Sequence, residues 1–227
     1  MIKEIEKRIL TSLILLPLTF FFIFKGSVFF IFFLIIIFFV ASYEWFKLTK
    51  RKNLVKLFGI IFLILSFYSA YLLRLEQDFK FFLFIILISI LTDIGGYIFG
   101  RTFKGPKLTK ISPKKTYSGL IGSFALSIIG GFIFVEFVNN FFINIHFSLI
   151  NFELIDNQLN LFLLLFILIV SSVSQIGDLT VSYFKRLAKI KDTGKILPGH
   201  GGLLDRIDGI LFVIPFAYIY LKLAIIY

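Results

Sequence analysis

The chain has 227 residues, of which 59% are apolar, whereas soluble globular domains contain about 45–50% apolar residues. This composition excludes an ordinary soluble globular domain, and the absence of cysteine excludes a disulfide framework and a thiolate metal site. The formal net charge of +11 would suit a nucleic-acid-binding protein, but the positions of the Lys and Arg residues argue against that class.

Seven hydrophobic stretches reach the roughly 20 residues that a transmembrane helix needs. In chain order they cover about 9–24, 27–46, 54–73, 81–100, 119–138, 161–184 and 207–227. The first follows a basic start, as in a signal peptide, but no small-residue cleavage site ends it and the next stretch begins at once. We therefore predict an all-α, polytopic transmembrane helix bundle of about seven spans, in a single integral membrane domain over residues 1–227.

Positively charged residues alternate between the two ends of these predicted helices. The tail 1–8 and the connections 43–56, 101–118 and 185–206 hold 20 of the 24 Lys and Arg residues, and the other connections hold few. Cytoplasmic loops of membrane proteins are enriched in Lys and Arg. The pattern therefore predicts a cytoplasmic N-terminus, an external C-terminus and no nucleic-acid partner.

Four carboxylates fall at one predicted depth, near the cytoplasmic ends of the fourth, sixth and seventh segments: Asp93, Asp178, Asp205 and Asp208. A carboxylate in a membrane segment is costly and usually lines a cavity or pairs with a cation. Four at one level favour a shared, water-filled pocket, although each acid could instead pair with a nearby Arg or Lys to tie helices together.

The sixth segment carries a polar stripe at spacings of three and four residues, which places its members on one helix face: Ser171, Ser174, Gln175, Asp178, Ser182 and Lys185. Such a stripe can line a site or simply join helices by hydrogen bonds. Residues 1–80 have few internal polar groups, so the candidate site lies in residues 81–227.

The stretch 182–209 differs from the rest of the chain. After 69 residues without Lys or Arg, it contains six of them: Lys185, Arg186, Lys189, Lys191, Lys195 and Arg206. The segment 198–202, Pro-Gly-His-Gly-Gly, cannot lie inside a helix, and its glycines permit the positive φ of anion-binding turns. Asp205 and Asp208 follow on one helix face and could both reach one metal ion or a metal pair.

These features together predict phosphate chemistry with a divalent metal at a membrane surface. Lys114 and Lys115, beside hydroxyl side chains in the preceding basic loop, suit phosphate capture by point charges. Three roles are open for His200: a hydrogen-bond donor to phosphate, an acid or base, or a group that stabilises the loop.

Residues 182–208 read S-x2-K-R-x4-K-D-x-G-x2-L-P-G-H-G-G-x2-D-R-I-D. This spacing resembles the C-terminal signature of the phosphatidate cytidylyltransferases, the CDP-diacylglycerol synthases. The segments 92–101, 111–116 and 177–182 are similar to that family as well. The resemblance implies transfer of the cytidylyl group of CTP to phosphatidate, giving CDP-diacylglycerol and pyrophosphate for phospholipid biosynthesis.

The resemblance also implies roles for individual residues. Mg²⁺, as one or two ions, is expected on Asp93, Asp178, Asp205 and Asp208. The catalytic residues are expected to be Lys185, Arg186, Lys191, His200 and Arg206. The substrate-binding residues are expected to be Lys114, Lys115, Ser182, Gly199, Gly201 and Gly202.

The implied partners are CTP, phosphatidate and membrane lipids, and the implied location is a bacterial cytoplasmic membrane with the active site facing the cytoplasm. Whether the protein is a homodimer is left open.

Two alternative classes of function are another membrane lipid enzyme and an ion-coupled transporter. A CDP-alcohol phosphotransferase needs a spaced pattern of aspartates that is missing, because Asp208-Gly209 leads directly into an apolar segment. The physical properties of the residues do not exclude a CTP-dependent polyprenol kinase, and only the motif match argues against that enzyme. An ion-coupled transporter would spread its acids across the membrane depth, whereas here they lie at one level.

Overall fold

In a computed structural model, residues 2–49, 53–109, 111–141 and 157–226 are described, and they form seven helices and no strand. The helices are α1 (Ile2–Lys25), α2 (Ser27–Leu48), α3 (Asn53–Glu76), α4 (Phe79–Thr102), α5 (Tyr117–Phe141), α6 (Asn157–Leu187) and α7 (Leu204–Ile226). Each predicted span coincides with one helix to within a few residues, so the predicted all-α bundle is confirmed. Residues 50–52 of the second basic segment and most of the predicted external connection 139–160 lie outside the described residues.

Six of these helices are suited to a membrane. Each of α1 to α6 contains a stretch long and apolar enough to cross a bilayer. Their outer faces expose large apolar side chains, such as Leu13, Val28 and Leu54, each about 70% exposed. Such surfaces fit a hydrocarbon surrounding, and the protein is a multi-pass membrane protein. Within the described residues, α7 is not among the helices that meet this criterion, and its role as a seventh span stays a prediction.

Helices α4 and α5 approach each other closely through glycine. A Cβ atom added at Gly95 would lie 2.3 Å from the Gly122 carbonyl oxygen, and one at Gly119 would lie 2.7 Å from the Gly96 carbonyl oxygen. Small residues allow such backbone contact between membrane helices. The two helices therefore form a fixed wall beside the polar face of α6.

Part of the polar stripe of α6 joins that helix to α4. Thr92 donates a hydrogen bond of 2.8 Å to Ser171, and the hydroxyls of Ser89 and Ser174 lie 2.7 Å apart. All four side chains are buried. For Ser171 and Ser174, the interpretation of the stripe as a link between helices is therefore correct.

Four segments meet at one end of the bundle: the start of α1, the end of α2, the α4–α5 connection and the α6–α7 connection. Arg8 of α1 donates a hydrogen bond of 2.8 Å to the Gly199 carbonyl, and Lys115 Nζ lies 2.6 Å from Asp178 Oδ2. These are the segments that the sequence marks as basic. We call this end of the molecule the basic end, and define it by residues 8–12, 44–49, 103–109, 111–116 and 185–206.

The orientation of the bundle can be tested with single cysteines, because the chain contains none. We expect Lys195→Cys, at the basic end, to be protected from a membrane-impermeant maleimide in intact cells, and Lys25→Cys, at the end of α1, to be labelled. Both residues are exposed, so both should react once the cells are permeabilised. Labelling of position 195 in intact cells would show that the basic end faces outward.

Candidate active site

A cavity of about 240 Å³ at the basic end is lined by residues of α4, α5, α6 and the α4–α5 connection. Its charged and amide lining consists of Asp93, Lys114, Lys115, Gln175 and Asp178. Cations from a loop thus face carboxylates from two helices in a space large enough for a small polar ligand. Five of the lining side chains come from segments that the sequence singled out separately.

An ion pair crosses this cavity. Lys115 Nζ lies 2.6 Å from Asp178 Oδ2, and both side chains are 25% exposed. Ser182, one helical turn further along α6, donates a hydrogen bond of 3.3 Å to Asp178 Oδ1. Lys114, next to Lys115 in the chain, is exposed and also lines the cavity. The predicted substrate-binding residues Lys114, Lys115 and Ser182 are therefore brought together around one carboxylate.

Asp208 lies next to this carboxylate from the side of α7. Its side chain is buried, and its carboxyl interacts directly with that of Asp178 and electrostatically with that of Asp93. Three of the four predicted metal-binding acids are thus grouped at the cavity. In the described part of the chain, no three His, Asp or Glu side chains form a metal site by themselves, so a metal here would rest on two carboxylates and a further ligand.

Asp205 holds the α6–α7 connection in place. Its Oδ1 is 2.7 Å from Lys185 Nζ, and its Oδ2 accepts hydrogen bonds from the backbone N–H groups of Thr193 and Gly202 at 2.8 and 3.2 Å. Lys185 is buried and also interacts electrostatically with Asp178 and Asp208. Lys185 therefore stands between the cavity and the loop, while both oxygens of Asp205 have partners within the protein.

A second carboxylate at the start of α7 comes from α2. Glu44 is fully buried, and it accepts hydrogen bonds from the N–H groups of Leu203 and Leu204 at 3.1 and 2.8 Å and from the Thr193 hydroxyl at 2.9 Å. The first N–H groups of a helix lack partners within the helix and carry partial positive charge, so a carboxylate stabilises them. Glu44 thus fixes the signature loop to the N-terminal helices.

The glycine segment forms a tight turn that is closed on itself. Leu197 and Gly201 exchange backbone hydrogen bonds of 3.0 and 3.1 Å, and the His200 N–H also donates to the Leu197 carbonyl at 2.9 Å. Gly199 and Gly201 have φ values of 78° and 90°, which L-residues with a Cβ rarely adopt. The N–H groups of residues 200–202 are used inside the protein, and phosphate binding by Gly199, Gly201 and Gly202 stays a prediction.

His200 links this turn to the first helix. Its Nδ1 is 2.8 Å from the Thr11 hydroxyl, its Nε2 is 3.4 Å from the Ser12 hydroxyl, and its carbonyl accepts a hydrogen bond of 2.8 Å from Arg206. Burial, followed by the positive charges of Arg206 and Arg8, lowers the pKa of His200 below its ordinary value. The ring is therefore neutral at pH 7, and its contacts are those of a loop-stabilising residue.

None of the predicted catalytic cations Lys185, Arg186, Lys191 and Arg206 is a lining residue of the cavity. Arg186 is exposed and donates a hydrogen bond of 3.2 Å to the Ile190 carbonyl, just beyond the end of α6. Lys191 is exposed in the following loop. Both belong to the basic end but do not line the cavity, and their catalytic roles stay predictions.

The sequence analysis missed the contributions of the N-terminal helices. Glu44 could have been found, because it is a carboxylate inside the hydrophobic stretch 27–46, which is the same signal that identified Asp93 and Asp178. Arg8 and Thr11 carry no such signal, because a basic start is expected of any membrane protein with this orientation.

The sequence was also compared with known proteins. The profile of the Cytidylyltransferase family matches residues 6–92 and 55–224. A curated phosphatidate cytidylyltransferase of Rickettsia conorii is 36% identical over 215 residues, which are 92% of this chain and 87% of the relative. One of Brucella suis biovar 1 is 29% identical over 269 residues, covering 96% and 93%. One of Staphylococcus epidermidis is 42% identical over 142 residues, and the match spans 62% of this chain and 48% of the relative.

Replacement of Glu44 tests its role at the start of α7. Glu44→Ala leaves buried N–H and hydroxyl donors without an acceptor, each at a cost of about 1–3 kcal/mol. We expect a clear fall in the midpoint of thermal unfolding in detergent, and an intermediate effect for Glu44→Gln, which keeps one acceptor oxygen. Glu76→Ala is the matched control, because Glu76 pairs with Lys222 at an exposed site. Equal, small shifts in Glu44→Ala and Glu76→Ala would contradict the role.

The contact of His200 with α1 should depend on pH. The folded protein holds the pKa of His200 below the ordinary value of about 6.5, so the unfolded chain binds more protons as the pH falls through that value. Protonation therefore favours unfolding, and stability from the neutral ring is lost at acidic pH. We expect wild-type stability to decline relative to His200→Gln between pH 8 and pH 5.5, measured by thermal unfolding. Parallel curves for the two proteins would show that His200 is not held in its neutral form.

Proposed function

Because the chain belongs to the cytidylyltransferase family, we propose that it is a phosphatidate cytidylyltransferase, which converts CTP and phosphatidate into CDP-diacylglycerol and pyrophosphate. The observation that carries this proposal is the cavity at the basic end, where lysines from a loop meet carboxylates of α4 and α6, with the Asp208 carboxyl of α7 next to them. A headgroup with negative charge can enter such a cavity while its acyl chains remain in the bilayer.

The main obstacle to this reaction is electrostatic. A phosphate oxygen of phosphatidate attacks the α-phosphorus of CTP, the bond between the α- and β-phosphates breaks, and pyrophosphate leaves with the bonding electrons. Both reactants are anions, so positive charge has to offset their repulsion. Lys114 and Lys115 at the cavity and Lys185 behind it supply that charge in a partly desolvated site, where each contact is stronger than in water.

The attacking group needs little further activation. The phosphate of phosphatidate is already ionised at neutral pH, so no strong general base is required. This agrees with a neutral His200 whose ring is bonded to hydroxyls of α1 rather than directed into the cavity. We assign His200 the role of holding the glycine turn, with Arg206 holding its carbonyl.

Asp178 and Asp208 are the residues that would hold Mg²⁺. Magnesium commonly binds to one or two carboxylates together with substrate phosphates and water, and these two carboxyls lie side by side with Asp93 near them. Bound there, the ion would polarise a phosphate and neutralise negative charge. Lys115 is paired with Asp178, and with a metal ion on that carboxylate its ammonium would be available for a phosphate oxygen.

The site is proposed to face the cytoplasm of a bacterial cell, in its cytoplasmic membrane. The motive is the Lys and Arg enrichment of the basic end, together with the supply of CTP on that side. Anionic lipid at this surface would also be drawn to the same charges.

The function is tested with purified protein in liposomes that contain phosphatidate. With CTP labelled at the α-phosphate, radioactivity should enter a chloroform-soluble product in the presence of Mg²⁺ and not in EDTA. With CTP labelled at the γ-phosphate, the lipid should stay unlabelled. Lipid labelling from the γ-phosphate would instead identify a CTP-dependent kinase, and no labelling from either position would refute both.

Asp205 and Asp208 should respond differently to loss of charge. We expect Asp208→Asn to lower kcat/KM by about 100-fold or more with little change in thermal stability, because its carboxylate serves the reaction. Asp205→Asn should lower both activity and stability, because it removes the partner of buried Lys185 and an acceptor for the loop. Glu136→Gln, exposed on α5, is the control. Near-normal turnover of Asp208→Asn at the same Mg²⁺ concentration would remove Asp208 from the site.

A further inference from the structure

One member of the polar stripe of α6 has an amide nitrogen that finds no hydrogen-bond partner in the described part of the protein. Ser171 and Ser174 are paired with hydroxyls of α4, and Asp178 is paired with Lys115. The amide nitrogen of Gln175 is buried and has no hydrogen-bond partner among the described residues. A buried donor without an acceptor costs about 1–3 kcal/mol, so this position calls for an explanation that helix packing does not provide.

The residue that carries this unpaired amide nitrogen lines the cavity. Gln175 lines it together with Asp178, which follows one helical turn later, and with the two lysines of the α4–α5 connection. Gln175 lies about 18 Å along the α6 axis from Leu187, the last residue of that helix, at about 1.5 Å per residue. Of the two α6 side chains that line the cavity, Gln175 is therefore the one farther from the basic end.

The chemistry of the neighbours indicates the ligand. Lys114 and Lys115 are cationic donors, and Gln175 adds a neutral donor below them. Three donors converging on one space suit an anionic acceptor. The volume of about 240 Å³ is large enough for a phosphoryl group.

We propose that Gln175 is a substrate-binding residue whose amide N–H donates a hydrogen bond to a phosphoryl oxygen held in this cavity. The proposal rests on the proposed function, and the phosphoryl group belongs either to phosphatidate or to the triphosphate of CTP. A neutral donor at this depth binds the oxygen without neutralising the carboxylates of Asp93 and Asp178, which a third lysine would do.

The test compares Gln175→Leu and Gln175→Glu with Ser174→Ala, which removes a satisfied hydrogen bond to Ser89 on the same helix. Gln175→Leu keeps the size of the side chain but donates no hydrogen bond, and Gln175→Glu places a negative charge against the phosphoryl group. Initial rates are measured while CTP is varied at saturating phosphatidate, and then while phosphatidate is varied at saturating CTP. Thermal unfolding is measured for all variants.

We expect Gln175→Leu to lower kcat/KM at least about tenfold, the size expected on loss of a hydrogen bond to a charged group, and Gln175→Glu to lower it further. Thermal stability should be unchanged or increased in Gln175→Leu. A rise in KM confined to phosphatidate assigns the oxygen to the lipid, and one confined to CTP assigns it to the nucleotide. Unchanged kinetics for both substrates, or a loss of activity that only follows a loss of stability as in Ser174→Ala, would overturn the proposal.

A binding measurement separates this proposal from the proposed function. Pyrophosphate should raise the unfolding midpoint of the wild type, and should raise that of Gln175→Leu less. If the wild type makes no CDP-diacylglycerol, the proposed function fails while this shift still tests phosphoryl binding by Gln175. Equal shifts in the two proteins would refute the role of Gln175 whatever the reaction is.

Discussion

The carboxylate of Glu44 at the start of α7 is the contact on which the arrangement of the basic end depends. It receives two backbone N–H groups of the helix start and the hydroxyl of Thr193, in a fully buried position. No room exists for another group there, since a Cβ at Gly202 would lie 2.7 Å from Glu44 Oε2. With the start of α7 fixed in this way, the Asp205 carboxylate accepts hydrogen bonds from the loop, whereas the Asp208 carboxyl lies next to Asp178 of the cavity.

The carboxylates of the basic end therefore divide into two groups. Glu44 and Asp205 are acceptors for the protein's own N–H and hydroxyl groups and hold the loop. Asp93, Asp178 and Asp208 face one another at the cavity, with lysine as the main offset to their charge. Lys185 touches the first group and influences the second, so the two are coupled through one buried cation.

The sequence predicted the helices well, but it did not predict which carboxylates hold the loop and which lie at the cavity. Apolar runs of about 20 residues determine the spans directly, and the i, i+3 spacing places polar groups on one face of α6. Which member of that face is paired depends on partners in α4, so the difference between Ser174 and Gln175 is invisible in the stripe itself. Asp205 and Asp208 look alike in sequence because they share a helix face, and only the position of the loop separates them.

The contacts of the basic end join residues that are far apart in the chain, and this has a consequence for biogenesis. Glu44 is 160 residues ahead of Leu204, and Arg8 is 191 residues ahead of Gly199. At about 5–20 residues per second, the ribosome delivers the acceptor in α2 roughly 8–32 s before its donors emerge. Until then the Glu44 carboxylate lies at the end of an inserted helix without the N–H groups that donate to it in the folded protein. The site thus cannot form before the start of α7 has been made, and in a chain that stops before α7 the loop lacks the helix start that Glu44 holds.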